Sequence, residues 1–514
     1  MRASHTRGAV SVRFDDPGLV SHAGLVAVMR LAEDAGLSDL AGELVRLGGP
    51  VGANAGAKIS TIVAGMAAGA DSISDLDLVR HGGMAGLFTG IRAPSTVGTF
   101  LRWFSMGHVA QLEKLSARLL ARLAELTPLL AGADRLGLLD LDSKISQVYG
   151  RGKDGAAFGY TGVLGLNTLA ATLTTAAGRP VIVATRLRGG NADTRRAVSS
   201  LARRALGTAR AAGATGPLLA RGDSGFYVGE LITMLAREGG LVLHHRPTTF
   251  RDPRRDPRDH RARLAAAHLP RPDPRPAHRT ADPHRPDRRD QPHRVHQPDR
   301  QPGQKTTARL LVRRTRITTR DEQGELFPAW RYHAVFTNLP PATTEPATTE
   351  PATTRPDTTE PATTRPATTE PATTRPATTE PDTTRPATTE PDTAGFDTAT
   401  AWRLHDQRSG AIEHVFAELA AGPLAHFPSG LFAANAAWLS LAALTHNLLR
   451  ATACLAGPAH ARTRLTTLRR RLITIAARVT RTARHITLRL PQDWPWAHDF
   501  THLFTTIHAP PHPA

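Results

Sequence analysis

Cysteine is almost missing from this chain: Cys454 is the single one in 514 residues. That excludes a disulfide scaffold and any zinc site built on several thiolates. Aromatic residues are scarce, at 5%. No uninterrupted apolar run reaches the roughly 20 residues of a membrane-spanning helix, so no membrane partner is expected. The opening MRASHTRGAVSVRF has no apolar core segment, so no secretory signal is expected either. Two catalytic signatures are also absent. There is no Gly-x-Ser-x-Gly turn to expose a serine nucleophile, and no Walker-type phosphate loop. Acids are outnumbered, with 45 Asp+Glu against 64 Lys+Arg and a net charge of +19. A pI near 11.2 points to a polyanionic partner, most simply nucleic acid. The expectation is a cytoplasmic, nucleoid-associated protein of more than one domain.

Two stretches differ from the rest. Residues 251–304 hold 14 Arg, 8 Asp and 6 His, with no Ile, Phe, Tyr, Trp, Met or Ser. Such a composition cannot bury enough apolar surface to offset its ordering entropy, so disorder is expected. Apart from Thr280, its residue types all have codons that begin with C or G. That is the outcome of reading a GC-rich gene out of frame, with the frame restored near Lys305. The alternative is an ordinary Pro/Arg-rich linker. The second stretch, residues 341–390, is ten tandem units of P-[AD]-T-T-[ER]. Proline at every fifth position forbids helix and sheet and favours an extended spacer. The repeats carry four Arg against six Glu and two Asp, so the positive excess belongs to the rest of the chain.

The remainder divides by its periodicity. Residues 1–130 read as mainly helical and as a DNA-binding region. Leu25, Val28, Met29 and Leu31 begin one apolar face, and Ile59, Ile62, Val63 and Met66 another. Ser74 precedes a short helix, DLDLVRH. The stretch RAPSTVGTFLRWF is a turn and a helix, with Ser95 or Thr96 as cap. Thr99 and Arg102 on that helix suit the reading helix of a helix-turn-helix, and an ordinary amphipathic helix equally well. Val109, Leu112, Leu115, Leu119 and Leu123 then mark a core-facing helix.

Residues 131–250 change to alternation. A strand is expected at Leu136–Asp142, continuing extended from Ile145 to Tyr149, and further strands at Leu164–Thr175 and Pro180–Leu187. A basic helix follows over Thr194–Ala212, then a strand at Pro217–Ala220, a helix at Phe226–Arg237 and a strand at Leu241–His245. This order is mixed α/β around one sheet. Residues 251–305 are the Arg/Pro-rich segment. Two more strands are expected within 306–340, the repeats fill 341–392, and two helices fall in 393–455. Residues 456–514 read as a basic helical region, with nine arginines and no acid between Arg462 and Arg489.

Three acidic settings stand out. Asp140 and Asp142 lie two apart on a strand and so share one face. An acid inside an apolar strand is costly unless it is paired or binds metal. Asp223 follows the strand LLARG in the turn DSG, at a strand end where α/β sheets build sites. Glu413 lies on a helix whose Ile412, Phe416 and Leu419 form the buried stripe, and Arg408 lies just before it. Singly, each acid has a bland reading as an ion-pair, cap or dipole-complementing residue.

The combination is more specific. The segments LLDLDSKISQVYGRGKDGAAFGYTG, LLARGDSGFY, FPAWRYHAVFTN and RSGAIEHVFAELAAGPLAHFPSGLFAANAAWLSLAALTHNLLRA resemble the DDE-type transposases of bacterial insertion sequences, most closely the thirteen-eighty family. The resemblance implies an RNase H-like catalytic core, with residues 306–340 as strands of an insertion within it. It implies that Asp142, Asp223 and Glu413 are catalytic and hold two Mg²⁺ (or Mn²⁺) ions. Asp140 is the alternative first acid and Glu418 a rival for Glu413. In the family a Thr follows the first acid by two, and here Lys144 stands there. The family Lys seven residues after the Glu is replaced by Ala420. The implied reaction is DNA cleavage at the element's terminal inverted repeats and strand transfer into target DNA, by a homodimer in the DNA complex. Candidate DNA contacts are Arg102, Arg195, Arg196, Arg408, Arg469, Arg470 and Arg471, with Arg203 and Arg204 beside them. Two alternatives stay open: a remnant that only binds DNA, and an RNase H-like nuclease that cuts without joining.

Overall fold

Apolar residues spaced by three and four build the first quarter of the chain. The computed structural model describes residues 11–150, 152–176, 178–193, 195–246, 309–316, 330–340, 398–483 and 485–509. The segment 251–305 and the repeats from 341 to 390 lie outside the described residues. After a two-residue strand β1 (Leu19–Val20) come α1 (Leu25–Asp34), α2 (Leu37–Leu44), the short α3 (Gly49–Gly52), α4 (Ala55–Ala68), the short α5 (Met84–Leu87), α6 (Pro94–Arg102) and α7 (Met106–Leu126). Val109, Leu112, Leu115, Leu119 and Leu123 of α7 are buried, as their spacing requires. Helix α6 is capped at Ala93, two residues before the nearer of the expected caps. Pro94 occupies its first turn, where a missing N–H costs nothing, so neither Ser95 nor Thr96 is the cap.

Alternation then decides the sheet. On β2 (Gly137–Gln147), Leu139 and Leu141 are buried on one face, while Asp140, Asp142 and Lys144 point to the other. The strand runs on from Asp142 to Gln147. It is followed by β3 (Ala157–Phe158), β4 (Leu164–Thr174), β5 (Val181–Gly189), α8 (Val198–Ala211), β6 (Leu218–Gly222), α9 (Gly229–Arg237), β7 (Leu241–Arg246), β8 (Arg309–Arg316) and β9 (Trp330–Thr337). One eight-stranded mixed sheet results, in the order β3–β4–β2–β6–β7–β9–β8, with β5 also on β4. β2–β4 and β4–β5 are antiparallel, and β2–β6 and β6–β7 are parallel.

The C-terminal helices close this frame. α10 (Thr398–Ala420) begins well before Arg408, which was expected to precede it, and lies on β2, β6 and β7. α11 (Phe432–Leu455) is buried on nearly every side, between β5 and the helices α1, α4, α6 and α7. Such a helix belongs to a core and needs internal partners for its polar side chains. Ser440, Thr445 and Thr452 donate back to carbonyls one turn earlier. Asn447 reaches out instead: its Oδ1 accepts from Ile182 N at 2.8 Å and its Nδ2 donates to Ile182 O at 2.7 Å. It acts as one more strand residue beside β5.

The last segment corrects an expectation. After α12 (Pro458–Ala461) and α13 (Leu465–Leu468), the arginine-rich run forms β10 (Ala477–Arg481) and β11 (Ile486–Arg489) before α14 (Ala497–His508). In ARVTR and ITLR the apolar and polar residues alternate, which is a strand period rather than a helical one. β10 also pairs with β1, so the two ends of the chain are fastened together. The described residues from Met1–Leu339 and Thr398–Ala514 form a single compact unit.

Candidate active site

Register brings the acids together. Asp140 on β2 and Arg221 on β6 are Cα partners, and β6 ends at Gly222. Asp142 and Asp223 each lie two residues further along their chains, so both carboxylates stand at the C-terminal end of β6. The fixed point beneath them is the Asp140–Arg221 pair. Arg221 donates from Nε to Oδ1 at 2.6 Å and from NH2 to Oδ2 at 2.7 Å, and both side chains are closed to solvent. Arg221 also donates to the carbonyl of Leu404 in α10. Burial pushes the Asp140 carboxyl up and the guanidinium opposes it.

Helix α10 supplies the third acid. Its Ile412 and Phe416 pack on Ala170, the strand partner of Asp142, and leave the neighbouring Glu413 exposed. Burial raises the Asp142 carboxyl. Arg408 pulls it down with a guanidinium 3.5 Å from Oδ2, and the charges of Asp223 and Glu413 push it up again. Asp223 and Glu413 therefore each lie within electrostatic reach of Asp142. Asp223 is oriented by its turn, with Oδ1 accepting from Gly225 N at 2.9 Å.

A layer of histidines, which the sequence reading missed, backs the site. His244 is fully buried, and burial holds it neutral with a pKa lowered to about 3. His405 is lowered by burial to about 4, with Arg408 acting in the same direction. His245 is lowered by burial as well, while Asp223 opposes the shift. The signal was the pair His244-His245 at the end of a strand parallel to the one that leads into Asp223.

The donor set fits hard divalent cations, since three carboxylates supply only oxygen ligands. Their mutual repulsion at Asp142 is the observation that favours a cation among them. They are not drawn into one cluster, however. Among the described residues, no group of three or more His, Cys, Asp or Glu is placed to hold a metal ion.

Glu418 stands elsewhere. It is buried against α11, accepts from His446 Nε2 at 3.2 Å and from Leu465 N at 3.2 Å, and is bonded by Arg450. The candidate DNA contacts separate in the same way. Arg102, Arg195, Arg196 and Arg470 are exposed. Arg408 faces Asp142. Arg469 is turned inward to the carbonyls of Ala67 and Met66, where it closes the end of α4. Arg471 lies over the ring of Trp496, 5.0 Å from its centroid. Arg204 is bound to Glu113 and to Thr185 O, and Arg203 lies 3.7 Å from Glu238.

A mixed sheet of this order, with carboxylates gathered at the end of its central parallel pair, is consistent with the RNase H-like class of nucleic-acid-processing proteins. Comparison with protein families gives the narrower assignment. The chain matches the transposase DDE domain, group 1, over residues 3–243 and 402–511, and it belongs to that family. Asp142, Asp223 and Glu413 all fall inside the matched segments. Comparison with curated protein sequences finds no match.

Proposed function

We propose that the protein is a transposase that cuts DNA at the ends of an insertion sequence of the thirteen-eighty type and joins the freed ends to target DNA. The observation that carries this reading is the electrostatic reach of Asp142 to both Asp223 and Glu413. Three acids from β2, the end of β6 and α10 are costly to gather unless cations bind them. Asp142, Asp223 and Glu413 would hold two Mg²⁺ or Mn²⁺ ions, which supply activation of the attacking oxygen and stabilisation of the leaving one. The chain's own residues do the rest. Asp140 and Arg221 fix the floor of the site. The turn of Asp223 holds one carboxylate oxygen on Gly225 N. Arg408 offers a guanidinium to the scissile phosphate. Arg102, Arg195, Arg196 and Arg470 meet the flanking phosphates, each contact steepening the salt dependence by about 0.9 in log–log slope. Two ends must be held at once, so the working form is a homodimer on DNA.

The test is a Mg²⁺-dependent cleavage assay on duplexes that carry the element's ends. Asp223→Asn should bind the ends as wild type does and cut none. Wild-type cleavage by that variant would overturn the assignment. Cutting without joining would favour a nuclease.

A further inference from the structure

The strand that carries Asp142 runs on past the site into a turn and the short β3, which together bear three bare aromatic rings. Tyr149 is 87% exposed, Phe158 62% and Tyr160 86%. A buried ring is worth about 1.5–3 kcal/mol, so a fold that leaves three in water gives up substantial stability. The backbone beneath them is fastened. Lys153 Nζ donates to Phe427 O at 2.7 Å and to Ser429 O at 2.9 Å. Asp154 N donates to Gly430 O at 2.8 Å, and Gly190 N to Gly155 O at 3.1 Å. Gly155 has a φ of +77°, and a Cβ there would lie 2.6 Å from the Phe432 ring. Phe158 pairs with Leu164, whose carbonyl accepts from Val148 N at 3.0 Å. Phe158 and Tyr149 therefore stand at the same end of the sheet, on either side of β4.

We infer that Tyr149, Phe158 and Tyr160 are a stacking platform for unpaired bases of the DNA strand that reaches the carboxylate site. The inference rests on the DNA-processing reading above. Stacking on a ring needs only the flat face of a base, which every base has. The distance is right for one strand. Seven residues separate Asp142 from Tyr149, at most about 23 Å at about 3.3 Å per residue, which is within one turn of duplex; β2 ends at Gln147, so its alternation does not set the side on which Tyr149 lies. Lys144 lies between them, exposed and on the same face as Asp142, where a phosphate would pass. A second protein chain is the poorer occupant. Stable interfaces bury about 800 Å² per partner. Here the three rings are set among Gly150, Gly152, Gly155, Gly159 and Gly162, with Leu431 as the neighbouring exposed aliphatic.

The test uses the full chain, a single-stranded oligonucleotide carrying 2-aminopurine, and a duplex of the same sequence, at one fixed salt concentration. The wild type should quench the 2-aminopurine. Each of Tyr149→Ala, Phe158→Ala and Tyr160→Ala should weaken single-strand binding about 5- to 150-fold, the loss of about 1–3 kcal/mol per stacked base. Tyr149→Trp should keep the binding, and duplex binding should hold in all four. Their melting temperatures should match the wild type, since the side chains lie in water. Unchanged single-strand binding in the triple alanine variant overturns the platform. So does an equal loss on single strand and duplex. Loss of self-association by the triple variant with its single-strand binding intact would assign the rings to a second copy of the chain. Asp223→Asn should quench like the wild type. If the wild type quenches but never cuts DNA, the platform stands and the catalytic reading falls.

Discussion

Asp140 and Arg221 face each other as partners on neighbouring parallel strands, joined by two hydrogen bonds of 2.6 and 2.7 Å and closed to solvent. The pair distinguishes Asp140, the alternative first acid, from Asp142, the one the sequence favours. Asp140 serves the fold, whereas Asp142, two residues on, meets Arg408 and the field of two further carboxylates. Removing one member of a buried pair strands the other charge and costs about 3–5 kcal/mol. Asp140→Ala should therefore lower the unfolding free energy by about that amount. Asp142→Ala should leave it unchanged or raise it, because it relieves repulsion, as is common where sites trade stability for function. Urea unfolding of the two variants side by side is the check. Equal destabilisation would mean that Asp142 is structural as well.

Much of this arrangement was legible in the residues. The alternation in LLDLDSK placed both aspartates on one face of a central strand. The stripe Ile412, Phe416 and Leu419 placed Glu413 beside a buried face. What periodicity cannot give is pairing. That Asp140 meets Arg221 depends on which strand lies beside β2, and nothing local to either segment sets it. The inward turn of Arg469 depends on the end of α4, some 400 residues away in the chain. The histidine layer escaped for the same reason, since His245 and His405 meet only when α10 lies on β7. The β10–β11 hairpin departs from the helical expectation because the alternation in its two short strands is too brief to stand out among the arginines.

Gly222 stands between Arg221 and Asp223, and His244 is its partner on β7. A Cβ at Gly222 would meet the His244 ring at 2.5 Å. Gly222→Ala must push the ring or tilt the strand end that carries Asp223, and overpacking of this kind costs about 1–3 kcal/mol. The expected result is a less stable protein with impaired end cleavage. His244→Ala removes the obstacle, so the double variant should recover part of both. A double variant no better than Gly222→Ala would show that the ring is not what requires the glycine.

Asn447 gives β5 its last pair of hydrogen bonds, through the N–H and carbonyl of Ile182. β4 and β5 slip register at Ala171/Thr172, close to that point, so the strand needs outside support there. Each buried backbone group left unpaired costs about 1–3 kcal/mol. Asn447→Leu keeps the bulk and removes both bonds, and should lower stability by about 2–5 kcal/mol. Hydrogen exchange at the Ile182 amide is the sharper readout. Protection equal to that of the wild type would mean that the side chain is dispensable.

Glu418 predicts an acid-sensitive fold. Burial alone would raise its carboxyl, but hydrogen bonding from His446 and the charge and hydrogen bonds of Arg450 hold it down at about 2, against 4.5 for an ordinary glutamate. Burial keeps His446 neutral, so its ring serves as a hydrogen-bond donor rather than as a second cation. The folded pKa is the depressed one. Its stabilisation is therefore complete above the unfolded value of 4.5 and drains away as the pH falls toward 2. A gap of that size is worth about 3 kcal/mol. Urea midpoints of the wild type should fall steeply between pH 4.5 and 2. Glu418→Gln, already weaker at pH 7, should show a flatter course, and the two curves should converge at the acid end. Curves that stay parallel throughout would mean that the carboxylate of Glu418 is not the group whose protonation loosens the core.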